Sequence, residues 1–145
     1  MRHRYVLMGL ALFLSGCNPM NYGPTLEGDW ALVSVHHSPV AQMSVTEAAE
    51  WIGQAAEFRE HRVVVGERHC AEPVFQTDWQ SLKEVLDEFE LPADAFSMPP
   101  DAPVQTLAIE CGGEPWEEPG GQLVRLNEKR LLVLWEGIFF ELHPA

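Results

Sequence analysis

QLVRLNEKRLLVLWEGIFFEL, residues 122–142, is the stretch that decides the fold. Gln122–Leu126 and Arg130–Glu136 are apolar runs of strand length separated by the polar turn Asn127–Lys129, and together they predict a β-hairpin. Gly137 interrupts the apolar run and marks a bulge or bend. Ile138–Leu142 then supplies a further strand that closes the chain.

Upstream of this unit, the same period-two signal recurs in short pieces. Val104–Cys111 alternates, with Leu107, Ile109 and Cys111 on one face. Val74–Trp79 does so with Phe75, Thr77 and Trp79 on one face, while Pro73 argues for an edge or a strand start. Ala55–Arg59 and Arg62–Val65 flank Glu60-His61 as a second hairpin, after which Gly66–Arg68 turns the chain toward Cys70. In Ala31–His36, the residues Ala31, Val33 and Val35 alternate with Trp30, Leu32 and Ser34. Two helices are predicted. Ser44-Val45-Thr46-Glu47 and Ser81-Leu82-Lys83-Glu84 both have capping-box spacing. The first is followed by a stripe of Val45, Ala48, Ala49 and Ile52 with Gly53 as a stop, the second by Leu82, Val85, Leu86 and Phe89 opposite an acidic face. Leu91–Pro103 contains four prolines and reads as a loop covering an edge or mouth. Eight short strands and two short helices with no β-α-β alternation predict a mainly β chain, an antiparallel barrel or strongly bent sheet.

The amino terminus is of another kind. Arg2, His3 and Arg4 form a basic head, Tyr5–Leu14 is a nearly unbroken apolar run of ten residues, and small residues lead into Cys17. That is the layout of a secretory signal, and the run is too short for the roughly 20 residues of a membrane-spanning helix. Leu14-Ser15-Gly16-Cys17 resembles the lipobox of bacterial lipoproteins. The resemblance implies cleavage after Gly16, acylation of Cys17, and anchorage in the membrane through the lipid; Asn18 in place of Asp implies the outer membrane, facing the periplasm. The expected organisation is a signal peptide at 1–16, a lipidated tether at 17–25 rich in Pro and Gly, and one β domain at 26–145.

Charge narrows the function classes. The chain has 9 basic and 22 acidic residues, and losing Arg2 and Arg4 with the signal leaves 7 against 22, a net of −15. Such a surface repels nucleic acid and favours cationic partners. Setting aside Cys17, the remaining cysteines are an even pair, Cys70 and Cys111, in a compartment that oxidises thiols, so a disulfide is expected between them. Two free thiols or a redox pair are the competing readings, and no Cys-x-x-Cys spacing favours redox chemistry.

Gly28-Asp29-Trp30 at the start of the first strand resembles the Gly-x-Trp signature of lipocalins and the opening of other small exported barrels. The resemblance implies a lipocalin-like barrel in which Gly28 lets the chain enter tightly and Trp30 plugs one end. Lipocalins pack an arginine from the last strand on that Trp; Ile138–Leu142 has none, and the nearest candidates are Arg125 and Arg130. Trp116, bracketed by Glu114, Glu117 and Glu118 in a Gly- and Pro-rich loop, is a candidate interaction anchor or a second plug. His36, His37, His61, His69 and His143 show no metal-ligand spacing, so no metal and no cofactor is expected. The chain has no Gly-x-Ser-x-Gly, no Ser-x-x-Lys and no paired acid and base, so no catalytic residue is assigned. The expectation is a non-enzymatic envelope module binding a small apolar ligand or an envelope partner; the alternatives are an inhibitor of a basic secreted or host enzyme such as lysozyme or a protease, and a hydrolase acting on envelope material.

Overall fold

The structure, a computed structural model, describes residues 26–145. The expected signal peptide, lipobox, acylated Cys17 and tether lie outside the described residues. The chain forms β1 (Gly28–His37), α1 (Val45–Ala49), β2 (Ala55–Arg59), β3 (Arg62–Val65), β4 (Arg68–Ala71), β5 (Val74–Ser81), α2 (Leu82–Asp87), a 3-10 turn at Ala93–Phe96, β6 (Pro103–Cys111), β7 (Glu114–Pro115), β8 (Gln122–Asn127), β9 (Arg130–Trp135) and β10 (Ile138–Pro144). All strands belong to one antiparallel sheet in the order β4-β3-β2-β1-β10-β9-β8-β6-β5, with β7 added onto β6, curled into a half-barrel. The expected mainly β, antiparallel architecture with two short helices is what the chain adopts.

The heart of the sheet is the stretch at residues 122–142. β9 and β10 are continuous apolar runs because both of their faces are buried. Leu131, Val133, Ile138, Phe140 and Leu142 point inward to a core shared with Trp30, Leu32, Phe58, Val63 and Ile109. Val124, Leu126, Leu132 and Phe139 point outward to a second core under α2 and the 3-10 turn. Glu136 and Gly137, both with positive φ (50° and 75°), connect Trp135 to its partner Ile138. Gly137 is therefore half of a two-residue primed turn, not a bulge.

The register of β1 against β10 shifts between Leu32 and Ser34, so Val33 sits in a bulge and the alternation changes phase. Val35 joins Trp30 and Leu32 on the inner core, while Ser34 and His36 turn outward. Simple period-two alternation had placed Val35 opposite Trp30; one extra residue in the strand reverses this. Beyond the turn expected at Gly66–Arg68, Arg68–Ala71 is a strand paired with β3, and Glu114–Pro115 adds a two-residue strand. Leu91–Pro103 contains a 3-10 turn whose Phe96 and Ala93 are buried in the outer core.

Both helix caps form as the spacing predicts. The Ser44 and Ser81 hydroxyls accept from the backbone N–H groups of Glu47 and Glu84 at 3.1 and 3.2 Å. The second helix buries Leu82, Val85 and Leu86 with Phe89 packed alongside; the first buries only Ala48, leaving Val45 and Ile52 exposed. Cys70 of β4 and Cys111 at the end of β6 form the disulfide, with Cα atoms 5.9 Å apart. The two strands lie toward opposite ends of the sheet order, so the bond clips the curled sheet shut where no ladder joins it.

Candidate functional site

Among the described residues, the outer face of the sheet carries a buried carboxylate with its basic partners and two grooves. Alternation along β10 turns Glu141 outward between Phe140 and Leu142, and the bulge at Val33 brings His36 over it. Arg130, first residue of β9, donates to it through Nη2 to Oε1 at 2.8 Å and Nε to Oε2 at 3.1 Å. His143 Nε2 lies 2.7 Å from Oε2 and His36 Nε2 3.3 Å from Oε1. The Arg130 fork also donates through Nη1 to the Phe96 carbonyl at 2.8 Å, and the His36 ring packs on the Phe96 ring at 4.5 Å between centroids.

Burial of Glu141 raises its pKa, but the hydrogen bonds from Arg130 and His143 and the charges of Arg130 and His36 outweigh that, and the carboxyl lies below the usual glutamate range. Oε2 has Arg130 and His143 as hydrogen-bond partners, while Oε1 accepts from Arg130 and has the His36 ring 3.3 Å away. Glu141 thus ties β1, β9, β10 and the 3-10 turn together.

Two adjoining grooves lie on the same outer side. The first, about 330 Å³, runs between α2 and the outward residues of β5, β6 and β8, with Val85 and Phe89 on one wall and Gln76, Asp78 and Gln80 on the other. The second, about 310 Å³, continues past Phe89 to Trp116 and Trp135. Phe89, Ala108, Gln122 and Leu134 line both, so the two form one trough. Its lining contains three aromatic residues and five carboxylates, Asp78, Glu88, Glu117, Glu118 and Glu136, and no Lys, Arg or His. Glu118 is bonded by Arg68 of β4 at 3.0 Å.

Trp30 is buried in the inner core, and its indole Nε1 donates to the Leu26 carbonyl at 3.0 Å. Gly28 before it has φ 149°, a backbone that residues with a Cβ rarely adopt. Arg125 and Arg130, the two candidates for the arginine beside Trp30, part ways: Arg130 is on the outer face with Glu141. Arg125 is buried in the row Leu32, Leu142, Leu131, Arg125, Gln105 and Trp79, which follows the registry across six strands.

Trp116 is folded back onto the sheet. Its ring is half-buried against the inner core, and it lines one end of the trough. The backbone N–H of Trp116 donates to the Ile109 carbonyl at 2.9 Å, which folds the loop back on β6.

Of the histidines, His36 and His143 meet on one carboxylate, whereas His37 bonds the Met43 carbonyl and His61 bonds Glu72. Sequence reasoning missed the Glu141 centre because two of its four members depend on the β1 bulge and on a diagonal across β9 and β10. A Glu in the apolar run Ile138–Leu142 was the available signal. Among the described residues no helix is long and apolar enough to cross a membrane. No family model, no curated protein and no solved structure matches the chain.

Proposed function

We propose that the chain is an outer-membrane lipoprotein, acylated at Cys17 and facing the periplasm, whose domain is a non-enzymatic binding module for a cationic protein. The observation that carries this reading is the outer trough, in which aromatic side chains are set among carboxylates with no basic residue in the lining. Aromatic faces and carboxylates together favour Lys and Arg side chains, and a net of −15 on the mature chain steers basic partners toward it. An inhibitor of a basic exported enzyme falls within this reading.

The cup for a small apolar ligand is less favoured, because Trp30, Phe58, Ile109, Leu131, Phe140 and Leu142 are buried together in the inner core. The test uses the full chain in non-ionic detergent with hen lysozyme as the basic probe and an acidic protein of similar size as control. Binding should be confined to lysozyme, weaken as salt rises, and fall at least tenfold in the Glu88→Lys, Glu117→Lys, Glu136→Lys triple variant. Equal binding to both probes, or a small apolar molecule co-purifying with the chain in native mass spectrometry, would overturn the reading.

A further inference from the structure

β5 ends the sheet. It pairs with β6 over eight continuous rungs, from Val74 opposite Glu110 to Ser81 opposite Pro103, with no register shift. No described strand lies on its other side. In an antiparallel strand the N–H and C=O groups of alternate residues point to opposite neighbours, so half of those on β5 face away from β6. Natural edges of this kind are shielded by shortness, an internal proline, a bulge or a lysine. β5 has none of these within its ladder; its one charged residue is Asp78, whose carboxylate accepts from the backbone N–H of Trp79 at 2.8 Å. The other edge, β4, is only four residues long, and the disulfide and the Arg68–Glu118 ion pair close it.

The side chains of β5 are those of a strand prepared for a neighbour. Val74 is 50 % exposed and Trp79 60 % exposed, near the two ends of the strand. On the outer face Gln76, Asp78 and Gln80 form one wall of the trough. β5 and β6 carry two carboxylates, Asp78 and Glu110, and no basic residue. Across a cross-strand pair, opposite charges attract and like charges repel.

We infer that the free edge of β5 is a strand-addition site, which takes an extended segment of a basic partner whose alternate side chains are Lys or Arg. Backbone hydrogen bonds to the outward groups of β5 supply affinity, and the basic side chains, reaching Asp78 and Glu88 along the trough wall, supply selectivity. A second copy of the chain fits less well, since pairing β5 with itself brings together two domains of the same strongly negative charge. The inference rests on the reading of the partner as cationic and adds the mode by which it is held.

The experiment uses the full chain in non-ionic detergent and three labelled dodecapeptides. One alternates Lys and Val, one alternates Glu and Val, and the third is the Lys–Val peptide methylated on every backbone nitrogen, which keeps its charge but donates no hydrogen bond. The Lys–Val peptide should bind at least tenfold more tightly than either other peptide and slow hydrogen exchange at residues 74–81. The exposed pair of substitutions Gln76→Lys and Asp78→Lys should remove most of that binding while the fold is kept. Equal binding of the methylated peptide, or protection confined to the loop at 112–121, would sink strand addition and leave the cationic-partner reading standing. Protection of residues 74–81 in the protein alone, accompanied by a dimer, would replace the peptide with a second copy. Failure of both Lys–Val peptides and of lysozyme to bind would remove both proposals.

Discussion

Arg130 and Glu141 are diagonal neighbours on the outer face of β9 and β10, joined by two hydrogen bonds of 2.8 and 3.1 Å onto a glutamate whose side chain is only 8 % exposed. A buried pair of this kind is costly to break from one side. Arg130→Met leaves a buried carboxylate without its main partner and frees the Phe96 carbonyl, and should cost about 3–5 kcal/mol in urea unfolding. Arg130→Met with Glu141→Leu should recover most of that loss, because an apolar pair needs no partners. If the double variant is no more stable than the single one, the pair has another role.

Acid should act on the same group. Glu141 has its pKa below the ordinary glutamate range: burial, the largest contribution, opposes the shift, and the bonds from Arg130 and His143 with the nearby charges of Arg130 and His36 overcome it. A depressed folded pKa means that the stabilisation is complete above the unfolded value of about 4.3 and is lost as pH falls through the folded value. The gap in urea midpoint between the native chain and Glu141→Gln should therefore be widest near neutrality and shrink below about pH 4. A gap that stays constant into acid would show that Glu141 is not the titrating group.

What could be read from the sequence was whatever depends on neighbours in the chain. The capping serines Ser44 and Ser81, the hairpin from Gln122 onward and the pairing of Cys70 with Cys111 all rest on short-range spacing or on an even count. The bulge at Val33 was not legible, because nothing in Leu32-Val33-Ser34 distinguishes a strand that slips by one residue from one that does not; the choice is made by the partner strand β10. The strand Arg68–Ala71 was obscured by its polar residues, and its pairing is imposed by β3 across a turn. Phe96 lay among prolines, which correctly signalled irregular backbone but could not show that one side chain of that segment turns inward. The trough is still further from the sequence, since its lining comes from separate stretches that meet only once the sheet has curled.

Phe96 provides the third test. It is 1 % exposed, lies edge-on to Phe139 with centroids 5.8 Å apart, and packs on His36. Phe96→Ala removes the largest side chain of the 3-10 turn from the outer core and should cost about 3–5 kcal/mol. Because Arg130 donates to the Phe96 carbonyl, exchange of the amides at 93–98 should rise well beyond the global loss. A cost below about 1 kcal/mol would mean that the turn merely rests on the sheet.

The disulfide closes a separation of 41 residues, which the chain-entropy account values at about 4 kcal/mol. Reduction should lower stability by about 2–4 kcal/mol without unfolding β8, β9 and β10, which pair with one another in the middle of the sheet order. Urea unfolding with and without reductant, followed by exchange at 68–71 and 109–121, would check both halves. If exchange in β9 rose as much as in β4, the bond would be holding the whole sheet rather than its seam.

Gly120 lies at that seam and separates the two ways a clip can act. Its φ is 104°, and a Cβ there would approach Val65 Cγ2 of β3 to 2.6 Å, so Gly120→Ala should cost about 1–3 kcal/mol in the oxidised chain. Were the disulfide to work only by restricting the unfolded chain, that cost would be the same after reduction. In the folded chain, though, the bond also draws the loop at 112–121 onto β3 and β4, together with the Arg68–Glu118 ion pair. Reduction should let the loop move away from Val65, and Gly120→Ala should then cost at least about 0.5 kcal/mol less, a coupling within reach of a double-perturbation cycle. Strict additivity would assign the disulfide to the unfolded state alone.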